Sequence, residues 1–279
     1  MMLELNHITK KYPDFELNCS LTVRPGCITG LIGQNGAGKT TVFKAILDLI
    51  NIDSGSIRID DHDQKTYPKE NIGVVLADAG FSEFLKIKDI SAIMENMYEH
   101  FDKAVFIANC QNFALPLNKK ISTFSTGMKA KLKVLIALSH QSKLLILDEP
   151  TAGLDVLARD EILDLLRDYM LENDERSVLI SSHISSDLEN LCDDIYMIDQ
   201  GQIILHEDID TLFNCYALLK ADHDQFNTLD KTYILKYKKE PYGYICLTNQ
   251  RQSYLENYPE IVIEKNRIDD LFTLMIRGE

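Results

Sequence analysis

The sequence lacks several features that mark whole classes of proteins. It has no apolar run approaching the roughly 18 residues of a membrane-spanning helix. Its first residues are acidic and polar where a secretory signal requires an apolar stretch. Its six cysteines form no CxxC pair and show no metal-ligand spacing, and most lie among apolar neighbours. These absences predict a cytoplasmic chain with buried, reduced thiols.

Positive charge is also scarce. The chain has 29 Lys and Arg against 43 Asp and Glu, a formal net charge of −14. A broad nucleic-acid surface needs clustered cations. The regularly spaced basic residues Lys129, Lys131 and Lys133 would lie on different faces of a helix, and we interpret them as a solvated flank. We therefore expect no nucleic-acid partner.

The sequence does contain a phosphate-binding loop at residues 33–40. It fits the pattern GxxxxGK[ST] at each fixed position, between an apolar strand at 28–32 and helical spacing over 41–50. Its glycines let successive N–H groups point at a polyphosphate, and the following helix adds positive charge at its start. The candidate nucleotide-binding residues are Gly33, Gln34, Asn35, Gly36, Ala37, Gly38, Lys39, Thr40 and Thr41.

Paired acids lie at the end of a second apolar run. Residues 144–147 are all apolar and lead into Asp148 and Glu149. Such a run suits a parallel strand buried on both faces, whose C-terminal end faces the ligand crevice. One acid can hold Mg²⁺ while the other polarises an attacking water. The Thr40 hydroxyl is also a suitable ligand for Mg²⁺.

Further motifs resemble those of ATP-binding cassette (ABC) proteins. Residues 124–129 resemble the signature motif, usually Leu-Ser-Gly-Gly-Gln, and keep Ser125 and Gly127 but depart from it at the intervening and flanking positions. Residues 148–155 resemble the acidic strand end with its D-loop, and residues 181–183 resemble the switch-histidine segment. Tyr12 lies where the family has an adenine-stacking aromatic residue, so the motifs span about two thirds of the chain.

The resemblance implies a fold and a set of roles. It implies an α/β P-loop ATPase core that binds ATP and Mg²⁺, with Lys39 on the phosphates and Thr40 and Asp148 on the metal. Glu149 would be the general base and His183 the sensor of the γ-phosphate. In the family two such domains close head to tail around two ATP molecules. Two residues would then complete the site of the second subunit: Ser125 and Gly127.

One position departs from the family pattern. After the strand at residues 71–76 the family places a glutamine that touches Mg²⁺ and couples to the membrane partner, but residues 77–80 contain none. Asp78 is the nearest candidate. It would contact Mg²⁺ through water or, equally well on the sequence, cap the next helix.

The pattern of apolar residues divides the chain in two. Residues 1–206 are predicted to form the ABC ATPase domain, with a short helical subdomain at about 81–123. Residues 207–279 are predicted to form an accessory α+β domain with a hairpin and a closing amphipathic helix. All nucleotide motifs precede it, so we expect the cassette to fold without it. It is interpreted either as a passive cap or as a dimerisation or regulatory domain.

The resemblance favours the energy-coupling subunit of a membrane exporter. The compact helical insert, the degenerate signature and the C-terminal extension resemble bacterial exporters of peptide antibiotics or amphipathic toxins. This implies a separate transmembrane subunit, a second nucleotide-binding subunit and a location on the inner face of the cell membrane. The alternative is a soluble cassette ATPase acting on nucleic acid, ribosomes or protein complexes. Such relatives usually carry long coiled coils, tandem cassettes or basic arms, which the sequence does not show.

Overall fold

The structure is a computed structural model that describes residues 1–77, 80–265 and 267–279. The strands are β1 Leu3–Tyr12, β2 Phe15–Val23, β3 Ile28–Ile32, β4 Ser54–Ile59, β5 His62–Asp63, β6 Ile72–Val75, β7 Leu144–Asp148, β8 Ser177–Ser182, β9 Asp194–Asp199, β10 Gln202–Asp208, β11 Ala217–Ala221, β12 Ile234–Glu240, β13 Gly243–Thr248 and β14 Val262–Lys265. The α-helices are α1 Lys39–Ile46, α2 Ile87–Met97, α3 Lys103–Asn112, α4 Thr126–Leu138, α5 Val156–Leu171, α6 Ser185–Leu191, α7 Ile209–Cys215, α8 His223–Thr228, α9 Arg251–Asn257 and α10 Ile268–Arg277.

A six-stranded sheet carries the predicted nucleotide motifs. Its order is β10-β9-β3-β8-β7-β6, and only the edge strand β10 runs antiparallel to its neighbour. Every residue of β3 and β7 is buried, as their continuous apolar sequences predict for parallel strands with covered faces. The C-terminal ends of β3, β7 and β8 therefore meet at one edge of the sheet, and the phosphate-binding loop follows β3 there.

An antiparallel sheet, β2-β1-β4-β5, covers one side of the core. In β2 the residues Leu17, Cys19, Leu21 and Val23 are buried, and intervening polar residues face outward. This alternation of apolar and polar residues matches the position of β2 in an antiparallel sheet with one covered face. Its apolar face shares a buried cluster with Phe43 of α1.

The predicted helices are found, but two ends differ from the sequence pattern. Helix α1 ends at Ile46, and Asp48 has a φ of 58°. This left-handed residue ends the helical path, so Leu49 is 59 % exposed rather than on the buried face. Met97, at the end of α2, is likewise exposed. Helices α2 and α3 share their apolar cluster with α4, so the helical unit continues beyond the predicted limit at residue 123.

The basic residues of α4 are not a solvated flank. Lys129 forms an ion pair with Glu83 at 3.0 Å, and Lys131 forms one with Glu161. The Lys133 ammonium lies 3.4 Å from a backbone carbonyl oxygen. These lysines fasten α4 to neighbouring segments of the chain.

Most of the cysteines are buried, as the sequence predicts. All six cysteines are free, and the four buried ones include Cys19 and Cys110. Burial raises the pKa of both thiols to about 12, which keeps them protonated and unreactive at neutral pH. In the described ranges, no helix is both long and apolar enough to cross a bilayer.

The C-terminal segment forms an antiparallel sheet of its own, ordered β12-β13-β11-β14. The predicted hairpin is β12 with β13, and the predicted amphipathic helix is α10. The boundary predicted after residue 206 falls inside strand β10. Moreover, Leu271 and Leu274 of α10 belong to the same buried cluster as Leu188 and Leu191 of α6. This shared core argues against the expectation that the cassette folds without its C-terminal segment.

Candidate active site

The phosphate-binding loop joins β3 to α1 in a shape that requires glycine. Gly38 has a φ of 114°, and a Cβ atom there would lie 2.9 Å from the Phe15 ring. A Cβ atom on Gly33 would lie 2.6 Å from the carbonyl oxygen of Ile198. The Ala37 carbonyl accepts a hydrogen bond from the Gly201 N–H at 2.9 Å. The loop is therefore packed tightly against the ends of β9 and β10.

Lys39 is buried at the start of α1, and its ammonium lies between the loop and the acidic strand end. It donates to the Gly33 carbonyl at 2.6 Å and to the Gln34 carbonyl at 3.4 Å. The same Nζ atom lies 3.4 Å from Oε1 of Glu149. A single cation thus faces both the loop that would hold phosphates and the predicted general base.

Asp148 is buried at the end of β7, and two hydroxyl groups contact its carboxylate. Its Oδ2 accepts from the Thr40 hydroxyl and its Oδ1 from the Ser181 hydroxyl, both at 2.7 Å. Hydroxyl and carboxylate oxygens are the donors that Mg²⁺ prefers. The residues present therefore fit a magnesium ion.

Glu149 follows Asp148 in an unusual backbone conformation. Its φ of 52° lies in the left-handed region, and its N–H donates to Ser181. Its Oε2 accepts from the His183 N–H at 3.1 Å and contacts the His183 ring nitrogen Nδ1. Its Oε1 is buried and accepts no hydrogen bond from any described residue. Oε2 is therefore held by His183, whereas Oε1 accepts no hydrogen bond from the described part of the chain and faces the Lys39 ammonium at 3.4 Å.

The phosphate-binding loop borders a cavity near Tyr12, the residue predicted to stack on adenine. Gln34, Asn35 and Gly36 line a cavity of about 590 Å³ that also touches Phe15. The Phe15 ring centroid lies 6.2 Å from that of Tyr12, which is 42 % exposed. Tyr12 is thus available for stacking near the loop. Thr41 follows Thr40 in the first turn of α1.

The chain is similar to known proteins. Residues 17–152 match the family described as ABC transporter. The ABC transporter ATP-binding protein YtrB of Bacillus subtilis (strain 168) is 32 % identical over 227 residues, which are 80 % of this chain and 77 % of YtrB. The chain belongs to the ATP-binding proteins of ABC transporters. The predicted family is confirmed, and with it the ATPase activity.

This ABC ATP-binding protein is also similar to a further relative and to a solved structure. The lantibiotic transport ATP-binding protein SrtF of Streptococcus pyogenes is 31 % identical over 228 residues, covering 78 % of this chain and 99 % of SrtF. A solved structure described as the ATP-binding subunit of an ABC transporter has a TM-score of 0.66 and 25 % identity. The similarity covers 76 % of this chain and 92 % of the chain in the solved structure. The predicted α/β ABC fold is confirmed.

The signature segment lies at the start of α4. Ser125 is the N-cap, and its hydroxyl accepts from the Met128 N–H at 3.2 Å. A Cβ atom added at Gly127 would lie 3.8 Å from side-chain atoms of both Leu154 and Ala158, in the segment after Glu149. The start of α4 therefore lies beside the segment that follows Glu149.

Sequence reasoning missed Ser181 as a functional residue. Its hydroxyl donates to Asp148, and it also accepts from the Glu149 N–H at 3.0 Å. The signal that could have found it is the strand register, because Asp148 and Ser181 are partners at the ends of adjacent parallel strands. Asp78, the proposed substitute for the missing glutamine, lies outside the described residues.

Proposed function

We propose that this chain is the ATP-hydrolysing subunit of a membrane exporter of peptides or amphipathic antibiotics. The observation that carries the hydrolytic part is the convergence of Lys39, Thr40, Asp148, Glu149 and His183 where three strands end. The sequence places these residues on separate segments, yet their polar groups meet within hydrogen-bonding or ion-pairing distance.

Each of these side chains has a role that its surroundings support. Lys39 neutralises the β- and γ-phosphates of ATP, because its ammonium already lies beside the loop carbonyls. Thr40 and Asp148 would hold Mg²⁺, which when bound neutralises phosphate charge. Glu149 takes the proton of the attacking water at Oε1, the atom with no described hydrogen-bond donor. His183 holds Oε2 of Glu149 and senses the γ-phosphate.

A second nucleotide-binding subunit completes the site in this proposal. Ser125 and Gly127 present the start of α4 to the ATP of the partner, and Tyr12 stacks on adenine within its own subunit. The exposed ring of Tyr12 supports the latter role. When the two subunits close in this way, the binding of two ATP molecules stabilises the dimer.

The exporter assignment rests on the relatives rather than on the geometry. SrtF, which the chain covers almost completely, is described as a lantibiotic transport protein. By analogy, the cargo is a peptide or an amphipathic antibiotic, and a separate transmembrane subunit carries it. The chain is then peripheral on the inner face of the cell membrane.

Expression in a lantibiotic-sensitive bacterium tests this assignment. The chain is produced together with candidate transmembrane subunits from its source genome, and the inhibitory concentrations of lantibiotics and amphipathic antibiotics are measured. We expect at least one compound to become several-fold less inhibitory, and Glu149→Gln to abolish the protection because turnover fails. Unchanged inhibition across the panel, with both proteins present in the membrane fraction, contradicts export of this cargo class.

A further inference from the structure

Helix α6 connects the catalytic edge of the sheet to the C-terminal segment. It begins at Ser185, two residues after His183, and β8 ends at Ser182. The Ser182 hydroxyl accepts from the Ile184 N–H at 3.0 Å. His183 therefore lies in a two-residue connection between a central strand and this helix.

One side of α6 is fixed to the segment after Glu149. Asp187 is 1 % exposed, and its Oδ2 accepts from the Thr151 hydroxyl at 2.6 Å. Its Oδ1 accepts from Arg159 of α5, at 3.1 Å from Nε. A buried carboxylate with donors on both oxygens is held firmly, because losing a partner would leave the charge uncompensated. This side belongs to the ATPase core itself.

The other side of α6 is held by α10, the last helix of the C-terminal segment. The Ser185 hydroxyl donates to Oδ2 of Asp269 at 2.8 Å. The Ile268 N–H, in the first turn of α10, donates to Oε1 of Glu189 at 2.9 Å. A carboxylate at a helix N-terminus is stabilised by the unpaired N–H groups and by the helix dipole. These two polar contacts add to the apolar packing between the helices, because Leu188 of α6 lies in the same buried cluster as the apolar residues of α10.

We propose that Asp269, through Ser185, is a positioning residue that sets His183 against Glu149. The proposal rests on the roles proposed above for His183 and Glu149. In this proposal Asp269 contacts neither the nucleotide nor the metal. Its hydrogen bond fixes the position of Ser185, the first residue of α6. Because the two-residue connection joins α6 to β8, the position of Ser185 also determines where the imidazole of His183 lies. The C-terminal segment is then a support for the hydrolytic step rather than a passive cap.

Kinetic comparison of neighbouring variants on α10 tests the proposal. Asp269→Ala removes the acceptor, Asp269→Asn keeps an oxygen that can accept from Ser185, and Asp270→Ala is the matched control on an exposed position of the same helix. We expect Asp269→Ala to lower kcat roughly three- to tenfold with KM for ATP changed by less than about twofold. Asp269→Asn and Asp270→Ala should stay near the wild-type rate.

A double-variant comparison separates this route from a general loss of structure. Because Ser185 and Asp269 act as one contact, Ser185→Ala combined with Asp269→Ala should lower kcat no further than the more damaging single change. The thermal unfolding midpoints of Asp269→Ala and Asp270→Ala should agree. A multiplicative loss in the double variant, or a midpoint that falls in step with kcat, overturns the positioning role.

A spectroscopic measurement tests the same route without turnover. The ring-proton NMR signals of His183 are assigned by their loss in His183→Gln. We expect Asp269→Ala, but not Asp270→Ala, to shift these signals. Unchanged signals overturn the proposal even if kcat falls. If the wild-type chain fails to hydrolyse ATP, the proposed function is wrong, whereas the NMR comparison still decides whether Asp269 positions His183.

Discussion

At the scale of single residues, the Lys39 ammonium has two kinds of partner. In this structure it donates to loop carbonyls and lies 3.4 Å from Glu149. Phosphate oxygens would replace the carbonyls as its partners. Removing the ammonium therefore affects both the loop and the acid, since Glu149 is only 14 % exposed and would lose its nearest cation.

Replacing this lysine is our residue-scale prediction. Lys39→Ala should lower steady-state ATP hydrolysis by roughly a hundredfold or more and weaken nucleotide binding, because charge stabilisation in a dry site is a large part of phosphoryl transfer. Phosphate release and fluorescent-nucleotide binding measure the two effects. Lys65→Ala, on an exposed residue, is the control. Hydrolysis within about twofold of wild type would remove the loop from the mechanism.

Residue identities in the site could be predicted where a motif fixes their spacing. Lys39 and Thr40 follow from the loop pattern, and Asp148 and Glu149 from acids at the end of an apolar strand. Ser181 could not be found this way, because a serine at a strand end has no distinctive spacing. Its role depends on which strand lies next to β7, and that neighbour is known only from the sheet order.

At the scale of elements, helix α10 decides how independent the C-terminal segment is. Its residues Ile268, Leu271 and Leu274 are buried in the same cluster as apolar residues of α6 and β9. The sequence pattern predicted an amphipathic helix correctly. It could not predict the surface that the helix covers, because periodicity shows which face is apolar but not its partner.

A truncation within this shared core is our element-scale prediction. Leu271→Ala should lower the free energy of unfolding by about 2–5 kcal/mol, the usual cost of emptying a fully buried leucine site. Unfolding of the whole chain should remain a single transition at a lower midpoint in urea. Val262→Ala, on an exposed residue of the same segment, should change little. A second transition that leaves the ATPase core at wild-type stability would indicate a passive cap.

At the scale of the whole molecule, the signature segment and the phosphate-binding loop belong to separate parts of the chain. Ser125 and Gly127 lie on α4, whereas the loop they are proposed to complete begins α1. The order of the six strands and this separation could not be predicted from motif spacing, because long-range pairing is not encoded locally. The family resemblance supplied the head-to-tail arrangement instead.

Dimer formation by a slow variant is our whole-molecule prediction. Glu149→Gln removes the base but keeps an oxygen that can accept from the His183 N–H. Hydrolysis should fall by orders of magnitude while ATP binding survives, so that Mg-ATP shifts the variant to a dimer in size-exclusion chromatography. Adding Lys39→Ala should abolish the shift. A monomer that hydrolyses ATP at the wild-type rate would contradict both the general base and the ATP-bridged dimer.

The left-handed backbone at Glu149 sets stability and turnover against each other. Glycine, and to a lesser degree asparagine, adopts a φ of 52° more readily than glutamate. Neither residue has a carboxylate that can take a proton from water. A laboratory selection that rewarded thermal tolerance alone would therefore enrich such replacements at this position and lose the enzyme. Directed evolution of this subunit has to select for turnover at every round, because the proposed general base lies at a position whose backbone conformation favours glycine.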